Sequence, residues 1–281
     1  MSQTASVREL FDLTARVAVI TGGAGLLGVR HAEAIAEMGG TPVLVDIDEE
    51  QVQARAFEIA RKFGQKAIGI ATDITRPEAV SHVLSSVLHA FDRVDILINN
   101  AANNPKMEAT VQSSDHWSRL EHFSLDAWNA DLAVSLTGSF LCSQIIGAEM
   151  ARRGNGVILN IASDLSVIAP DQRIYRDDTL VSDEQPVKPI SYSVVKHGLV
   201  GLTRYLATYW ANRGVRVNVL SPGGVYADQE QTFVRRLTNL IPMGRMAHQD
   251  EYKAAVVFMV SDASSYMTGA NIIIDGGRTV W

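Results

Sequence analysis

Short apolar runs alternate with longer amphipathic stretches along nearly the whole chain. The runs VAVI, ILI, VILNI, VNVL and III are rich in β-branched residues and contain few polar positions. A strand that is apolar at consecutive positions is buried on both faces, as in a parallel sheet covered by helices. The pattern therefore predicts an α/β fold with a doubly wound parallel sheet of about seven strands and helices on both faces.

The order of these segments predicts where ligands bind. Predicted strands cover residues 16–21, 42–46, 66–71, 94–99, 157–161, 215–220 and 271–274, and predicted helices cover 26–38, 49–63, 77–90, 125–152, 191–212 and 249–260. Two long breaks, 102–124 and 164–190, follow strands and so belong at the carboxyl edge of the sheet, where open α/β sheets bind ligands. No repeat or linker divides the chain, and we expect one domain over residues 1–281.

Composition narrows the class of protein. The 281 residues carry a net charge of −6, which disfavours nucleic acid as a partner. The single cysteine, Cys142, excludes an intramolecular disulfide, and no Cys/His cluster has the spacing of a metal site. The sequence starts without a secretory pattern and contains no run of ~18 apolar residues. We therefore expect a cytoplasmic protein with no metal and no membrane contact.

A glycine-rich turn follows the first predicted strand. Gly22, Gly25 and Gly28 form G-x-x-G-x-x-G where a helix is predicted to begin. Glycine permits a tight turn and close approach of the backbone to a pyrophosphate, and the helix N-terminus adds N–H donors. We expect a dinucleotide to contact these glycines together with Leu26 and Leu27.

An acidic residue ends the second predicted strand. Asp46 follows Val43-Leu44-Val45, and its carboxylate can accept hydrogen bonds from the adenosine ribose hydroxyls while repelling a 2′-phosphate. Its neighbour Ile47 offers a phosphate no positive charge. Asp48 is better placed than Asp46 to cap the next helix. The sequence therefore predicts NAD rather than NADP, with Asp46 and Ile47 at the adenosine ribose.

Tyr192 and Lys196 lie one turn apart at the start of a long predicted helix. Residues at i and i+4 lie on one helix face, so both side chains can enter the same cleft. A nearby ammonium favours a phenolate, and a phenol tuned in this way can exchange a proton with an alcohol.

Taken together, the chain resembles the short-chain dehydrogenase/reductase family, in its single-domain branch, whose fold is of the Rossmann type. Further matching segments lie in family order, namely Asp73-Ile74, Asn99-Asn100-Ala101-Ala102, Asn160-Ile161-Ala162-Ser163, Ser221-Pro222-Gly223-Gly224-Val225 and Asp275-Gly276-Gly277. The resemblance implies that the cofactor contacts Asp73, Ile74, Asn99, Ala101, Pro222, Gly223 and Val225, as well as Tyr192 and Lys196.

The resemblance also implies a mechanism and an assembly. Tyr192 would be the general acid/base, Lys196 would bind the nicotinamide ribose and lower the tyrosine pKa, and Ser163 would hydrogen-bond the substrate oxygen. Hydride would pass between the nicotinamide and a substrate carbon. Family members pair through long helices, so the segments 125–152 and 191–212 imply a homotetramer or homodimer.

Three departures from the family pattern affect these expectations. Leu26 stands where this branch usually has its second glycine, and the resulting spacing looks like that of nucleotide-sugar epimerases and dehydratases. Ser135 replaces the asparagine that helps hold a relay water behind the lysine. Ser163 and Tyr192 are separated by about twice the usual distance along the chain.

The long segment between Ser163 and Tyr192 predicts a loop that closes over the substrate site. Residues 164–190 would form a flap, the break near 102–124 would border the same cleft, and residues 226–241 would form a mobile lid. Polar side chains suited to a hydroxylated substrate are Asn104, Lys106, Gln172 and Arg173. The enlarged loops look like a subgroup linked to sugar modification in bacterial surface-glycan or flagellin pathways.

Three functions remain open on the sequence. The first is an NAD(H)-dependent oxidoreductase that interconverts a secondary alcohol and a ketone on a polar, sugar-like substrate. The second is a nucleotide-sugar epimerase or dehydratase that keeps NAD bound, which the glycine spacing favours. The third is a non-catalytic NAD-binding protein, which Ser135 favours.

Overall fold

A seven-stranded parallel sheet forms the centre of the protein. The computed structural model describes residues 5–103 and 116–281. The strands are β1 (Val17–Thr21), β2 (Thr41–Asp46), β3 (Ile68–Ala71), β4 (Ile96–Asn99), β5 (Gly156–Ile161), β6 (Val215–Pro222) and β7 (Asn271–Ile274). They pair in the order β3-β2-β1-β4-β5-β6-β7, and every pairing is parallel. The predicted doubly wound sheet is confirmed.

Helices cover both faces of this sheet. They are α1 (Val7–Leu10), α2 (Leu26–Glu37), α3 (Glu49–Phe63), α4 (Pro77–Phe91), α5 (Leu125–Leu132), α6 (Gly138–Arg153), α7 (Ile190–Trp210), α8 (Gln231–Thr238) and α9 (Lys253–Val260). The helix predicted as continuous over residues 125–152 is interrupted by a π-helical turn, Ala133–Thr137. Helix α9 begins later than predicted, at Lys253.

The core has a layer of buried side chains on each face of the sheet, which explains why the strand sequences are unbroken apolar runs. Ala18 and Ile20 of β1 pack into one layer of buried side chains, and Val17 and Val19 pack into the layer on the opposite face. All four are at most 3% exposed. Burying an aliphatic side chain of this size contributes about 1.5–3 kcal/mol. Both faces of each central strand must therefore be apolar.

Local signals in the sequence set several helix ends. The Asp48 carboxylate caps α3 by accepting from the Gln51 amide at 3.0 Å, as expected for that residue. Gly64 ends the same helix in the left-handed region, with φ of 66°. Pro77 occupies the first turn of α4, where its missing N–H costs nothing.

The segment Leu125–Arg153 is long and apolar enough to cross a membrane by length and composition alone. Half of its most apolar window is buried inside the protein, and α6 contacts α4, β4 and β5. This segment is accounted for as a helix of the protein core.

The predicted flap and lid pack against each other. The flap contains three 3₁₀ turns, Asp164–Ser166, Gln172–Tyr175 and Ser182–Glu184. The ring of Tyr175 lies 5.6 Å from that of Phe233 in α8, measured between centroids. Arg236 of α8 pairs with the carboxylate of Asp178 at 3.1 Å. Residues 104–115 of the other loop lie outside the described residues.

Candidate active site

The predicted site residues lie at the carboxyl edge of the sheet. Strands β1 and β4 are neighbours, although β2, β3 and their helices intervene in the sequence. The strand order reverses at this point, which is where doubly wound sheets bind ligands. The glycine turn follows β1, and Ser163 follows β5, two strands away. The sheet topology therefore brings the two halves of the predicted site to one edge.

The glycine turn is shaped for close approach by a ligand. Gly22 has φ of +62°, and a Cβ on Gly28 would lie 2.0 Å from the Gly22 carbonyl oxygen, so neither position readily accepts a side chain. Gly25 is the N-cap of α2 and supplies no side-chain cap. The first amides of α2, at Leu26 and Leu27, are consequently available to an anion. This cradle fits the pyrophosphate of a dinucleotide.

Asn100 holds the glycine turn against β4. Its side-chain amide donates to the carbonyl oxygens of Thr21 at 3.0 Å and Gly22 at 3.1 Å. The backbone amides of Asn100 and Ala101 both donate to the Thr21 hydroxyl at 3.1 Å. Ala101 therefore lies directly beside the turn, as a cofactor contact would. The bracing role of Asn100 was not predicted.

Asp46 lies next to the turn with its carboxylate fixed. One oxygen accepts from the Ala24 amide at 3.0 Å, and the other accepts from the Ile47 amide at 2.8 Å. The side chain of Ile47 is 76% exposed. A fixed carboxylate with an apolar neighbour fits a ribose diol better than a phosphate.

Asp73 and Ile74 follow β3. The Thr75 hydroxyl donates to Asp73 at 2.7 Å, and the Thr75 amide donates at 2.9 Å, which together hold the pKa of Asp73 below its usual value. The side chain of Ile74 is buried and lies close to Gly138 at the start of α6.

Asn99 lies apart from the other predicted cofactor contacts. Its side chain is 1% exposed and donates to Asn160 at 2.8 Å and to Ser143 at 3.1 Å. These bonds tie β4 to β5 and α6. The structure therefore places the Asn99 side chain in a buried network beneath the site.

Ser163, Tyr192 and Lys196 come together at the end of β5. Lys196 donates from Nζ to the Ile161 carbonyl oxygen at 2.9 Å, and Nζ lies 5.6 Å from the centroid of the Tyr192 ring. The Ser163 hydroxyl lies close enough to Tyr192 to lower its pKa. A phenol, an ammonium and a hydroxyl thus share one buried location.

Burial dominates the acid–base properties of this group. It raises the pKa of Tyr192, and Ser163 opposes that change. Burial also lowers the pKa of Lys196 to about 8, and the nearby Lys188 ammonium adds to that effect. The raised tyrosine pKa is opposite to the effect expected from Lys196 alone, because desolvation of the phenolate is the larger cause.

Ser135 lies within the π-helical turn. Its hydroxyl accepts from the Asn103 amide at 3.3 Å, and the Asn103 side chain donates to Asp131 at 2.8 Å. Asp131 also accepts from the hydroxyl of Ser191, the residue before Tyr192. The predicted relay serine is therefore linked to the start of the helix that carries Tyr192.

The loop after β6 lies on the other side of the cleft. Pro222 ends β6, and the Gly223 amide donates to the Ile274 carbonyl oxygen at 2.8 Å. A Cβ on Gly223 would lie 2.8 Å from the Cα of Asp275, so this close packing requires glycine. Val225 pairs with Ala247 across an isolated parallel bridge.

Comparison with known proteins identifies the family. A sequence profile described as short chain dehydrogenase matches residues 16–175, and a second, described as enoyl-(acyl carrier protein) reductase, matches residues 181–279. The chain belongs to the short-chain dehydrogenase family. The expected family is therefore confirmed, and both profiles are named for oxidoreductases.

Relatives of this short-chain dehydrogenase match it along nearly its full length. It is 34% identical to D-threitol dehydrogenase of Mycolicibacterium smegmatis, over 99% of this chain and 98% of the relative. It is 33% identical to NAD-dependent glycerol dehydrogenase of Listeria innocua, over 96% of each chain. The structure of gluconate 5-dehydrogenase from Burkholderia cenocepacia in complex with NADP and tartrate superposes with a TM-score of 0.84, at 27% identity, over 98% of this chain and 100% of that one.

Two of the four predicted substrate contacts lie in the described part of this short-chain dehydrogenase. The Gln172 side chain accepts from the Lys188 backbone amide at 2.8 Å, which fixes the end of the flap. Arg173 is mostly exposed and pairs with Asp171 at 2.6 Å. Asn104 and Lys106 lie outside the described residues.

Several charged residues near the site were not predicted. Asp164 and Arg278 form a buried ion pair beside Ser163, and the Lys188 ammonium lies 3.9 Å from the centroid of the Tyr192 ring. No motif marks these residues. Only Asp164 could have been singled out from the sequence, because it directly follows the predicted catalytic residue Ser163.

Proposed function

We propose that this short-chain dehydrogenase uses NAD(H) to interconvert a secondary alcohol and a ketone on a small polyol or sugar-like substrate. The observation that carries the proposal is the assembly of Ser163, Tyr192 and Lys196 in one buried location at the carboxyl edge. Relatives that act on threitol and glycerol support the substrate class. The predicted connection with surface-glycan or flagellin modification stays a prediction.

The preference for NAD rests on Asp46. Backbone amides hold its carboxylate beside the glycine turn, where it can accept from both ribose hydroxyls and repel a 2′-phosphate. The exposed Ile47 supplies no compensating cation. The NAD-dependent glycerol dehydrogenase supports this preference, whereas the gluconate 5-dehydrogenase structure contains NADP.

The chain's own residues account for the proton transfer. When bound, the nicotinamide supplies the hydride acceptor or donor. Tyr192 would take the hydroxyl proton of the alcohol during oxidation and return it during reduction. Lys196 would favour the phenolate and hold the nicotinamide ribose, and Ser163 would hydrogen-bond the substrate oxygen. Burial excludes water, which strengthens each of these interactions.

We further propose a cytoplasmic homodimer or homotetramer that pairs through α6 and α7. Tyr205 and Tyr209 stack at 5.8 Å on α7 although both are exposed, and Phe140 of α6 is 44% exposed. Exposed aromatic residues of this kind favour an interface. The variant Tyr209→Glu is expected to shift the mass measured by light scattering towards the monomer, and an unchanged mass would exclude this surface.

The proposed reaction can be tested by following NADH absorbance with a panel of tetritols, pentitols, glycerol and aldonates. We expect Tyr192→Phe to lose turnover and to retain NADH binding, measured by fluorescence quenching. Tyr266→Phe is the matched control, because Tyr266 is fully exposed. Full turnover in Tyr192→Phe would exclude the proposed acid/base role.

A further inference from the structure

A buried carboxylate follows the proposed catalytic serine. Asp164 is 3% exposed, and its Oδ1 accepts from Ser163 Oγ at 2.7 Å and from the Leu165 amide at 2.8 Å. An ionised carboxylate only accepts hydrogen bonds, so Ser163 donates its single hydroxyl proton to Asp164 in this contact and can donate it to Tyr192 or a substrate only by releasing Asp164. Asp164 therefore sets the orientation of the Ser163 hydroxyl.

The other oxygen of Asp164 is held by a residue that is distant in the sequence. Arg278 donates from Nη1 to Oδ2 at 2.6 Å, and the two side chains are 7% and 4% exposed. Charge-assisted bonds of this length are among the stronger hydrogen bonds in proteins. Loss of either partner would leave an uncompensated charge in the interior.

The turn after β7 places Arg278 in this position. Gly276 and Gly277 have φ of +66° and +90°, a region that favours glycine. The carboxylate of Asp275 accepts from the amides of Gly277 at 2.9 Å and Thr279 at 2.8 Å. The chain thus folds back on itself and directs Arg278 into the protein rather than into solvent.

The ion pair acts on Tyr192 with opposite signs. The Asp164 charge raises the pKa of Tyr192 and the Arg278 charge lowers it, although burial is the larger cause. Other titratable groups near this phenol are Lys196 of the same helix, Lys188 at the end of the flap and Tyr175 of the flap.

We propose that Asp164 and Arg278 are positioning residues for Ser163 and Tyr192. Asp164 orients the Ser163 hydroxyl, and Arg278 holds that carboxylate and balances its charge beside the phenol. A buried ion pair is seldom more stabilising than well-packed apolar residues, so its place beside Ser163 points to a role in the site. This inference rests on the proposed function of Ser163 and Tyr192.

Variants of the pair are expected to move the acidic limb of the kcat/KM profile in opposite directions. Arg278→Met leaves the carboxylate charge uncompensated, which disfavours the phenolate and moves the limb up by about 1 pH unit. Asp164→Asn leaves the guanidinium charge, which favours the phenolate and moves the limb down by a similar amount. The double variant is expected to return the limb close to its wild-type position. Asp164→Asn should also lower kcat, because the neutral amide oxygen is a weaker acceptor for the Ser163 hydroxyl than the carboxylate.

Control variants separate this role from simple packing. Arg278→Lys keeps the positive charge and should restore most of the pH profile. Arg55→Met breaks the exposed ion pair with Glu58 at 2.8 Å on α3 and should leave the profile unchanged. Equal losses at every pH in both single variants, without opposite shifts, would overturn the proposal.

A second readout does not depend on turnover. Ultraviolet difference titration of each variant against the same variant carrying Tyr192→Phe reports ionisation of the Tyr192 phenol directly. If Arg278→Met fails to fold, a lower phenol pKa in Asp164→Asn that the double variant reverses still supports the proposal, and unchanged values overturn it. If no substrate turns over, the proposed function fails while this titration still decides the inference.

Discussion

The Lys188 ammonium lies closer to the Tyr192 ring than the Lys196 ammonium does. The distances from Nζ to the ring centroid are 3.9 Å for Lys188 and 5.6 Å for Lys196. Burial lowers the pKa of Lys188 to about 8, and Asp131 and Asp164 oppose that change. Two ammonium groups therefore lie near the proposed acid/base phenol, and only Lys196 belongs to the motif.

We expect Lys188→Met to lower turnover at neutral pH by about tenfold. Loss of a nearby cation disfavours the phenolate by roughly one pKa unit, and that unit corresponds to a tenfold change in its fraction. The check is the pH profile of kcat/KM, whose acidic limb should move upwards. Lys188→Arg keeps the charge and should retain the limb; an unmoved limb in Lys188→Met would exclude the influence of this residue.

Asp46→Ala should change the cofactor preference. Hydrogen bonds to a charged group contribute about 1.5–3 kcal/mol. Their loss should lower the ratio of kcat/KM with NAD to kcat/KM with NADP by about tenfold or more. The measurement is kcat/KM for both cofactors. Asp48→Ala is the matched control, because that carboxylate caps α3 and should affect stability instead. An unchanged preference in Asp46→Ala would contradict the NAD assignment.

Gly28→Ala should abolish cofactor binding and destabilise the protein. The added Cβ would lie 2.0 Å from the Gly22 carbonyl oxygen, and relief of such overlap costs about 1–3 kcal/mol. Urea unfolding and NADH fluorescence measure the two effects. Gly201→Ala of α7 is the control, because its Cβ would meet no atom within 4 Å. Normal NADH affinity in Gly28→Ala would contradict the placement of the pyrophosphate.

The buried His31 should make stability depend on pH. Burial lowers its pKa from 6.5 to about 4, while Asn100 opposes this in part. The unfolded chain binds the proton more readily than the folded protein does. The free energy of unfolding is therefore unaffected by protonation of His31 above pH 6.5 and decreases as the pH falls towards 4. The expected loss is about 3 kcal/mol. His31→Leu should flatten this part of the urea-unfolding profile relative to wild type, whereas substitution of the exposed His89 should not.

Much of the fold was predictable because its signals are local. Continuous apolar runs predicted strands buried on both faces, and Asp48 predicted the start of α3. The π-helical turn Ala133–Thr137 was not predicted, because hydrophobic spacing does not distinguish an extra residue in one turn of a long helix.

The candidate site was predictable only where motifs exist. Ser163, Tyr192 and Lys196 were located from their spacing and family resemblance, and the structure brings them together. The Asn99 side chain lies instead in the interior, because its hydrogen-bond partners come from β5 and α6. Arg278 was missed because its partner, Asp164, lies 114 residues away, and one sequence contains no signal for such pairs.

That separation affects how the nascent chain matures on the ribosome. Once β6 has left the exit tunnel, six strands can assemble, and Ser163, Tyr192 and Lys196 can already meet. The partner of Asp164 arrives only after β7 and its turn have been synthesised and docked, since contacts between distant residues form late. Until then, the Asp164 carboxylate lacks its charged partner, so a chain without β7 and its turn would have six strands in place but no ion pair to position Ser163.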